Sequence, residues 1–217
     1  MKTQYRVSLI IAVSILFASS TFLTAQELKP IKLPQPQTDI GKPLMQALNA
    51  RQTTREFSPK LLPVQELSNL LWAAWGINRS DSGKRTAPSA SNRQEMDVYA
   101  VTAEGVYLYE AKEHILIPVV AGDLRAQTGK QPFVATAPLN LVYVADYAKL
   151  GNASDEAKIF NSAADTGFIA QNVYLYCASQ GLATVVRGMV DKPALEKAMK
   201  LRPDQKAVLA QTVGYPK

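Results

Sequence analysis

The chain has 217 residues, of which 47% are hydrophobic and 19% charged, and its formal net charge is +6. This length suits one domain with a sizeable core, and this composition excludes an intrinsically disordered chain. A mild positive charge fits a small anionic ligand better than a nucleic acid, which we do not expect as a partner. The single cysteine, Cys177, rules out an intrachain disulfide and lies in an apolar run that predicts a core position. One cysteine and one histidine also argue against a zinc site, so no metal is expected.

The first 25 residues have the pattern of an export signal. Basic residues precede an apolar run over 7–17 that is too short for a comfortable membrane span, and small residues follow it. We expect cleavage after Ala25, with Ser20 as the alternative site, and export to the periplasm without a stable membrane anchor. An uncleaved N-terminal anchor is the competing interpretation. Removal of this segment takes away Lys2 and Arg6 and leaves a formal charge of +4.

The rest of the chain alternates helical and strand patterns. Residues 26–42 are rich in proline and predict an extended arm, and residues 43–217 predict one folded domain. Apolar spacing and capping residues predict helices over 43–51, 63–75, 154–180 and 191–199. Strands are predicted over 96–101, 106–111, 113–120, 139–146, 183–186 and 206–216, with a hairpin turn between the first two. The predicted fold is an α+β sandwich around a long, buried central helix.

Three polar segments remain once the core is assigned. The arginine segment is RQTTREF (51–57), the polar loop is RTAPSASNRQ (85–94), and the Arg-Gly segment is GLATVVRGM (181–189). Arginine is a planar, permanently charged fork that suits phosphate, and Arg51 and Arg55 can share a face if the first helix continues. The alternative is a solvated helix end, where cations are favoured.

The other two segments also have two interpretations each. The amides of Asn92 and Gln94 suit a heterocycle with donor and acceptor edges, but Ser and Asn also stabilise turns by bonding their own backbone. In the Arg-Gly segment, Gly188 permits close approach of a backbone N–H to a flat ring. The alternative is a connector with an ordinary surface arginine at Arg187.

Together these segments resemble the FMN-dependent nitroreductase family over most of the mature chain. The likeness rests on RQTTREF, on PSASNRQ before a strand, on the helix IAQNVYLYCASQGLAT, on the RGM turn and on a terminal VGYP. The chain also resembles the SagB-type branch, which includes azoline dehydrogenases, at Tyr107, Tyr109, His114 and Leu116. His114 is the only histidine and a tempting base, but we favour a structural role at a strand end.

The resemblance implies a mixed, mainly antiparallel sheet and FMN bound at a homodimer interface. Arg51, Thr53 and Arg55 would hold the phosphate, the ribityl chain and the ring edge. Ser89, Ser91, Asn92 and Gln94 would line the flavin, and Arg187 and Gly188 would place backbone N–H groups near its reactive nitrogen. The cofactor carries the electrons, so no protein nucleophile is expected.

Two positions depart from the family pattern. The family usually continues past GYP and supplies another Arg or Lys to the phosphate, whereas this sequence stops at Lys217. Either phosphate binding is weaker or Lys217 substitutes. The usual Gln-Pro-Trp is replaced by Gln94, Glu95 and Met96, which adds a carboxyl group near the site.

The function expected from this sequence is ping-pong electron transfer by an exported, homodimeric, FMN-dependent oxidoreductase. The acceptor would be a small organic molecule such as a quinone or a nitroaromatic. The donor stays open, because nicotinamides are expected to be scarce outside the cytoplasm. The alternatives are an azoline-type dehydrogenase that acts on a peptide and a non-catalytic flavin-binding scaffold.

Overall fold

A computed structural model describes residues 27–217, so the predicted export signal lies outside the described residues. The helices are α1 (Leu44–Ala50), α2 (Val64–Trp75), α3 (Asp155–Gln180) and α4 (Lys192–Ala198). The strands are β1 (Ile31–Lys32), β2 (Ile77–Arg79), β3 (Lys84–Arg85), β4 (Met96–Val101), β5 (Gly105–Glu110), β6 (Ile115–Ala121), β7 (Leu139–Asp146), β8 (Ala183–Arg187) and β9 (Gln205–Gly214). The predicted α+β architecture around one long helix is confirmed.

Seven strands form the main sheet in the order β1-β6-β5-β4-β7-β9-β8, and each described pair in it is antiparallel. The interior strand β7 is buried along its whole length, which explains its largely apolar sequence. A second, two-stranded sheet pairs β2 with β3. Strand β3 forms the start of the polar loop, which the sequence predicts as wholly irregular.

The two faces of the sheet carry separate hydrophobic clusters. On β4, Met96, Val98 and Ala100 pack in the cluster that also contains buried residues of α2 and α3. Tyr99 and Val101 pack on the opposite face with residues of α4. This alternation follows from the two-residue period of a strand, and it places α3 and α4 on opposite faces of the sheet.

Helix α3 is the longest element and spans about 39 Å at 1.5 Å per residue. It begins at Ser154, whose side chain accepts a hydrogen bond from the Ala157 N–H, and it ends at Gly181 in the left-handed conformation (φ 72°). Ile169, Val173 and Cys177 are fully buried, so the predicted core position of Cys177 is confirmed. Within residues 27–217, no helix has both the length and the apolar character needed to cross a membrane.

The N-terminal arm packs along one edge of the domain. Ile31 and Lys32 pair with Ile115 and Leu116 of β6 as the edge strand. Further along the arm, the Gln37 N–H donates to Asn69 Oδ1 of α2 over 2.8 Å. The predicted arm is therefore attached to the domain through backbone hydrogen bonds.

His114 links the arm to the domain through hydrogen bonds of its side chain. Its Nε2 lies 2.7 Å from Ser68 Oγ and 3.1 Å from the Pro34 carbonyl, and its Nδ1 lies 2.9 Å from the Tyr109 hydroxyl. A neutral ring fits all three contacts if Nε2–H is shared between Ser68 Oγ and the Pro34 carbonyl, while Nδ1 accepts from Tyr109. Burial lowers the pKa of His114, which also favours the neutral ring. These contacts support the structural interpretation of this histidine.

Candidate functional site

The arginine segment starts where α1 ends. Arg51 caps the C-terminus of α1 with extended dihedrals (φ −61°, ψ 121°), so the helix does not continue through the segment. The chain then runs beside β8, where the Thr54 N–H donates to the Thr184 carbonyl over 3.0 Å. Phe57 forms an antiparallel bridge with Pro216, which places Lys217 opposite Glu56 at the end of the segment. The helical face shared by Arg51 and Arg55 is therefore absent, and the segment lies between α3 and the C-terminal residues instead.

Tyr174 joins the arginine segment to the Arg-Gly segment. Its hydroxyl lies 3.0 Å from Thr53 Oγ1 and accepts a hydrogen bond from the Val186 N–H over 3.0 Å. The guanidinium carbon of Arg51 lies 5.5 Å from the centre of the Tyr174 ring, which is a cation–π distance. One buried side chain of α3 thus brings together two segments that are more than 120 positions apart. The sequence predicts Tyr174 only as a core residue of an apolar helix, so this role was missed.

The Arg-Gly segment presents its backbone outward and its arginine inward. Gly188 is exposed, and the Val190 N–H donates to its carbonyl over 2.9 Å in a tight turn. The Arg187 side chain is only 4% exposed and donates to the Thr128 carbonyl over 2.6 Å and to Asn140 Oδ1 over 2.9 Å. The alternative of an ordinary surface arginine is therefore wrong.

Arg187 is a buried cation held by neutral groups. None of the ion pairs among the described residues includes it, and its Nε has no hydrogen-bond partner there. Burial lowers the pKa of Arg187 to about 10, which leaves it charged at neutral pH. Its side chain fixes the end of β8 from the interior, and it is the backbone of this turn that faces outward.

The polar loop has an unusual backbone. Ser91, Asn92 and Gln94 adopt positive φ values of 52°, 53° and 49°. Such residues cost free energy and persist only where the surrounding contacts fix them, and they are enriched at functional sites. Here the Gln94 N–H donates to Ser89 Oγ over 3.0 Å, and the Ala90 N–H donates to Asp165 Oδ2 of α3 over 2.9 Å.

The Gln94 side chain forms hydrogen bonds within and next to the polar loop. Arg85 Nε donates to Gln94 Oε1 over 2.8 Å, and Gln94 Nε2 donates to the Gly83 carbonyl over 3.1 Å. Arg85 also donates to the Trp75 carbonyl and lies 4.7 Å from the centre of the Trp75 ring. Turn chemistry therefore accounts for Gln94, whereas Ser91 and Asn92 stay exposed. Arg85 was missed as the residue that anchors the loop.

Within one chain, the polar loop lies apart from the arginine segment and the Arg-Gly segment. The loop contacts α3 at Asp165, and the other segments contact it at Tyr174. Nine residues of helix separate these points, or about 14 Å along the axis. The predicted site residues thus fall into two groups that contact α3 at different points. The first group, near Tyr174, contains Arg51, Thr53, Arg55, Arg187 and Gly188. The second group, near Asp165, contains the polar-loop residues Ser89, Ser91, Asn92 and Gln94. The roles given to both groups stay predictions.

Comparison with known proteins identifies the fold. The model of the nitroreductase family matches residues 48–215. Two relatives carry the description "putative nitroreductase". A crystal structure of one, from Ralstonia eutropha, has 44% sequence identity and a TM-score of 0.83, with 87% of this chain and 90% of that chain covered. The other, from Methanocaldococcus jannaschii, is 30% identical over 169 residues, with 73% of this chain and 85% of that protein covered. The chain belongs to the nitroreductase family.

A more distant nitroreductase-type fold is the NADPH:FMN oxidoreductase from Vibrio harveyi, solved with NAD⁺. It has 20% identity and a TM-score of 0.61, with 80% of this chain and 69% of that chain covered, so it shows the fold alone. The residues that resemble the SagB-type branch serve the packing of this nitroreductase-family chain. Tyr109 and His114 hold the arm, and Leu116 is buried in the core, where it is 1% exposed.

The first group of site residues has donors suited to a phosphate group. Arg51 and Arg55 form no ion pair with any carboxylate in the described part of the chain. Thr53 adds a hydroxyl, and Gly188 leaves room for a ligand close to its backbone. Two arginines without carboxylate partners in one short extended segment are a suitable donor set for phosphate. The same part of the chain has no cluster of side chains that could hold a metal ion.

Proposed function

We propose that the protein binds FMN and transfers electrons from a reduced donor to a small organic acceptor, such as a quinone or a nitroaromatic, in a ping-pong cycle. The observation that carries this proposal is the meeting of the arginine segment and the Arg-Gly segment at Tyr174. Membership of the nitroreductase family makes the chain an oxidoreductase, and the distant fold relative from Vibrio harveyi is described as an NADPH:FMN oxidoreductase. FMN itself, the acceptor class and the ping-pong order are our inferences.

The residues of this chain would bind and orient the cofactor. Arg51 and Arg55 would hold the phosphate, with Lys217 as an additional cation beside them. Thr53, oriented by Tyr174, would bind the ribityl chain, and the Gly188 backbone would lie against the ring. When bound, FMN supplies the two-electron chemistry, so the protein needs no nucleophile of its own. Fixed cations near the ring edge would stabilise negative charge that develops there.

A homodimer would complete the site. The side of α3 that its own chain leaves exposed carries Phe160, Ala163, Gly167, Phe168 and Gln171, at helical spacing. Phe160 is 73% exposed and Phe168 48%, which is uncommon for phenylalanine on a free surface. Helix α1 contacts α3 and adds the exposed side chains of Leu44, Met45 and Leu48. This apolar surface fits a second copy of the chain.

We call these exposed residues of α3, within 160–171, the exposed stripe. Their position suggests how a second copy would complete the site. The midpoint between Asp165 and Tyr174 falls between Phe168 and Gln171, near the C-terminal end of the exposed stripe. Two α3 helices that cross antiparallel at this midpoint would bring Asp165, with the polar loop, to the same level along the helix axis as Tyr174 of the partner subunit. Both groups of predicted site residues would then meet twice in the dimer, because a two-fold interface is self-complementary.

The electron donor depends on the cellular compartment in which the protein acts. If the predicted signal directs export, the folded domain acts in the periplasm and takes its flavin after translocation. A nicotinamide donor is then scarce, and a reduced quinone or a protein electron carrier becomes the expected source of electrons.

The experiment is a visible spectrum and an FMN titration of residues 26–217, purified without the signal. We expect flavin absorbance with about one FMN per chain, and weaker binding of riboflavin because it lacks the phosphate. Parallel double-reciprocal plots for donor and quinone would support the ping-pong order. No binding at high micromolar FMN would overturn the enzyme proposal. Binding without turnover of any quinone or nitroaromatic would favour the non-catalytic scaffold.

A further inference from the structure

Glu95 is a fully buried carboxyl group at the end of the polar loop. Its relative exposure is 0%, and neither carboxylate oxygen has a hydrogen-bond partner among residues 27–217. A buried carboxylate with no partner is unfavourable, and such a group normally takes up a proton instead. Glu95 is a buried acid of this kind. Neither the binding of phosphate nor the orientation of a ring accounts for it.

A second buried carboxyl group lies next to Glu95. Asp165 of α3 is 2% exposed, and its Oδ2 accepts the hydrogen bond from the Ala90 N–H of the loop. One turn earlier on the same face of α3, the hydroxyl of Ser162 is buried and also lacks a partner among the described residues. Glu95 and Asp165 are thus two buried acids close enough for the charge of Asp165 to raise the pKa of Glu95, and Asp165 accepts a hydrogen bond from the loop directly.

The cations near this pocket are occupied elsewhere. Lys149 lies 3.0 Å from Asp97 and 3.3 Å from the Gln94 carbonyl, on the solvent side. Asp146, whose N–H donates to the Glu95 carbonyl, is paired with Arg202 over 2.8 Å. No ion pair among the described residues reaches Glu95 or Asp165. The charge of a fully ionised pair would therefore be poorly compensated.

Burial and the neighbouring acid act in the same direction. Burial raises the pKa of Glu95 to about 7, the charge of Asp165 raises it as well, and Lys149 opposes them. Adjacent buried carboxyl groups titrate as a pair that keeps one proton over a wide pH range. Glu95 is therefore protonated at mildly acidic pH and loses its proton near and above neutral pH.

We propose that Glu95 and Asp165 share one proton, and that Glu95 in its protonated form is a positioning residue for the polar loop. With the proton present, Asp165 keeps its bond to Ala90, and the three left-handed residues of the loop are held in place. Loss of the proton puts two uncompensated charges under the loop and loosens it. The part of the proposal that concerns flavin rests on the proposed function, in which this loop lines the cofactor.

The sign of the pH dependence follows from the raised pKa. The folded chain binds the Glu95 proton more tightly than the unfolded chain, so the contribution to stability is complete below about pH 4.5 and is lost as the pH rises through about 7. His114 acts in the opposite sense, because its lowered pKa favours the folded state as the pH rises towards 6.5. The effect of Glu95 must therefore be measured as a difference between the parent and a variant at each pH.

The test uses residues 26–217 and the variants Glu95→Gln, Asp165→Asn and, as control, Asp97→Asn. The melting temperature of each FMN-free protein is measured from pH 5.5 to 8.5. Glutamine matches the protonated acid, so we expect Glu95→Gln to gain melting temperature over the parent as the pH rises. Asp165→Asn keeps an acceptor for the Ala90 N–H and should show the same trend. Asp97→Asn removes a partly exposed carboxylate and should show a difference that hardly changes with pH.

The second readout is the dissociation constant for FMN over the same range. Coupling to one proton changes affinity by at most about tenfold per pH unit, so we expect the parent to weaken by roughly fivefold to tenfold between pH 6.5 and 8.5. Glu95→Gln should weaken clearly less. Parallel melting profiles of the parent, Glu95→Gln and Asp165→Asn would overturn the shared proton, whereas FMN affinities that change equally would overturn the positioning role. If no protein binds FMN, the proposed function fails, and the melting profiles still decide whether the proton is shared.

Discussion

The hydroxyl of Tyr174 lies 3.0 Å from the hydroxyl of Thr53, across 121 positions of sequence. The same hydroxyl accepts the Val186 N–H, so it connects the arginine segment, the central helix and the strand that leads to the Arg-Gly turn. Because Tyr174 is 8% exposed, these bonds are shielded from water. The Tyr174 hydroxyl therefore helps to fix the relative position of Thr53 and Gly188, together with the bond from the Thr54 N–H to the Thr184 carbonyl.

We expect Tyr174→Phe to lower the free energy of unfolding by about 1–2 kcal/mol, because the Val186 N–H loses its partner in a largely buried setting. FMN binding should weaken several-fold, since Thr53 is no longer oriented. Chemical denaturation and FMN fluorescence quenching measure the two effects. Tyr176→Phe is the matched control on the same helix. Its hydroxyl donates to Glu66, away from the site, so that variant should lose stability and keep its affinity for FMN. Equal affinities in the two variants would contradict the role of Tyr174.

The phosphate assignment is tested at Arg51. Arg51→Ala should weaken FMN binding by about 1.5–3 kcal/mol, the scale of a lost charge-assisted hydrogen bond. That is roughly a tenfold to hundredfold rise in the dissociation constant. Arg51→Lys should recover only part of the loss, because lysine lacks the planar fork. The fold should survive in each variant, since Arg51 lies at the end of α1 and makes no ion pair in the described region.

Arg93→Ala is the control for these titrations. Arg93 is exposed in the polar loop between Asn92 and Gln94, and we expect it to point away from the flavin. Its removal should change the affinity for FMN little, and circular dichroism should show an intact fold in every variant. If Arg51→Ala binds FMN as well as the parent does, the solvated helix end is the better interpretation of RQTTREF.

Periodicity was enough to predict most of the fold. The bounds of β4 and β7 agree with the predicted strands, because a buried strand needs an unbroken apolar pattern. The hairpin of β2 and β3 was missed because its short strands are polar and turn at Gly83 in a left-handed conformation. Such a pair gains little from burial and leaves no apolar signal.

The site was harder to predict because the chemical type of a residue does not reveal whether its side chain faces solvent, a ligand or the protein interior. Gln94 offers an amide suited to a heterocycle, yet Arg85 and Gly83 use it within the loop. Arg187 has the charge of a surface residue, yet neutral groups hold it inside the domain. Glu95 follows the loop as an ordinary acid in sequence, and acids are almost never fully buried. Only the tertiary contacts distinguish these cases.

His114 offers a test of the two interpretations of the only histidine. His114→Ala should lower the free energy of unfolding by about 1–3 kcal/mol, because the arm loses its contact at Pro34 and both Ser68 and Tyr109 lose a partner. Flavin content and quinone turnover should stay close to those of the parent at a temperature where both are folded. The parent's extra stability from neutral His114 is lost as the pH falls below about 6.5, and the variant should lack that component. A large fall in turnover by a fully folded variant would instead favour a catalytic base.

The exposed stripe of α3 contains a glycine, Gly167. Gly167 lies in the middle of the helix, and apart from the adjacent helix backbone no atom of the described residues lies within 4 Å of the position a side chain would take. An exposed glycine there costs about 1 kcal/mol relative to alanine, and the proposed dimer would use it for the close approach of a second backbone.

Gly167→Leu should therefore stabilise or leave unchanged the separate chain and disrupt the dimer, because the new side chain occupies the space proposed for the partner. We expect light scattering to report a monomer and FMN titration to show a large loss of affinity, since the polar loop no longer meets the partner's arginine segment. Ala194→Leu is the matched control. It changes an exposed alanine on α4, across the sheet from α3, and should leave both the dimer and FMN binding intact. A monomeric Gly167→Leu that binds FMN as tightly as the parent would show that one chain holds the complete site. A dimeric variant with unchanged affinity would show that the stripe is not the interface.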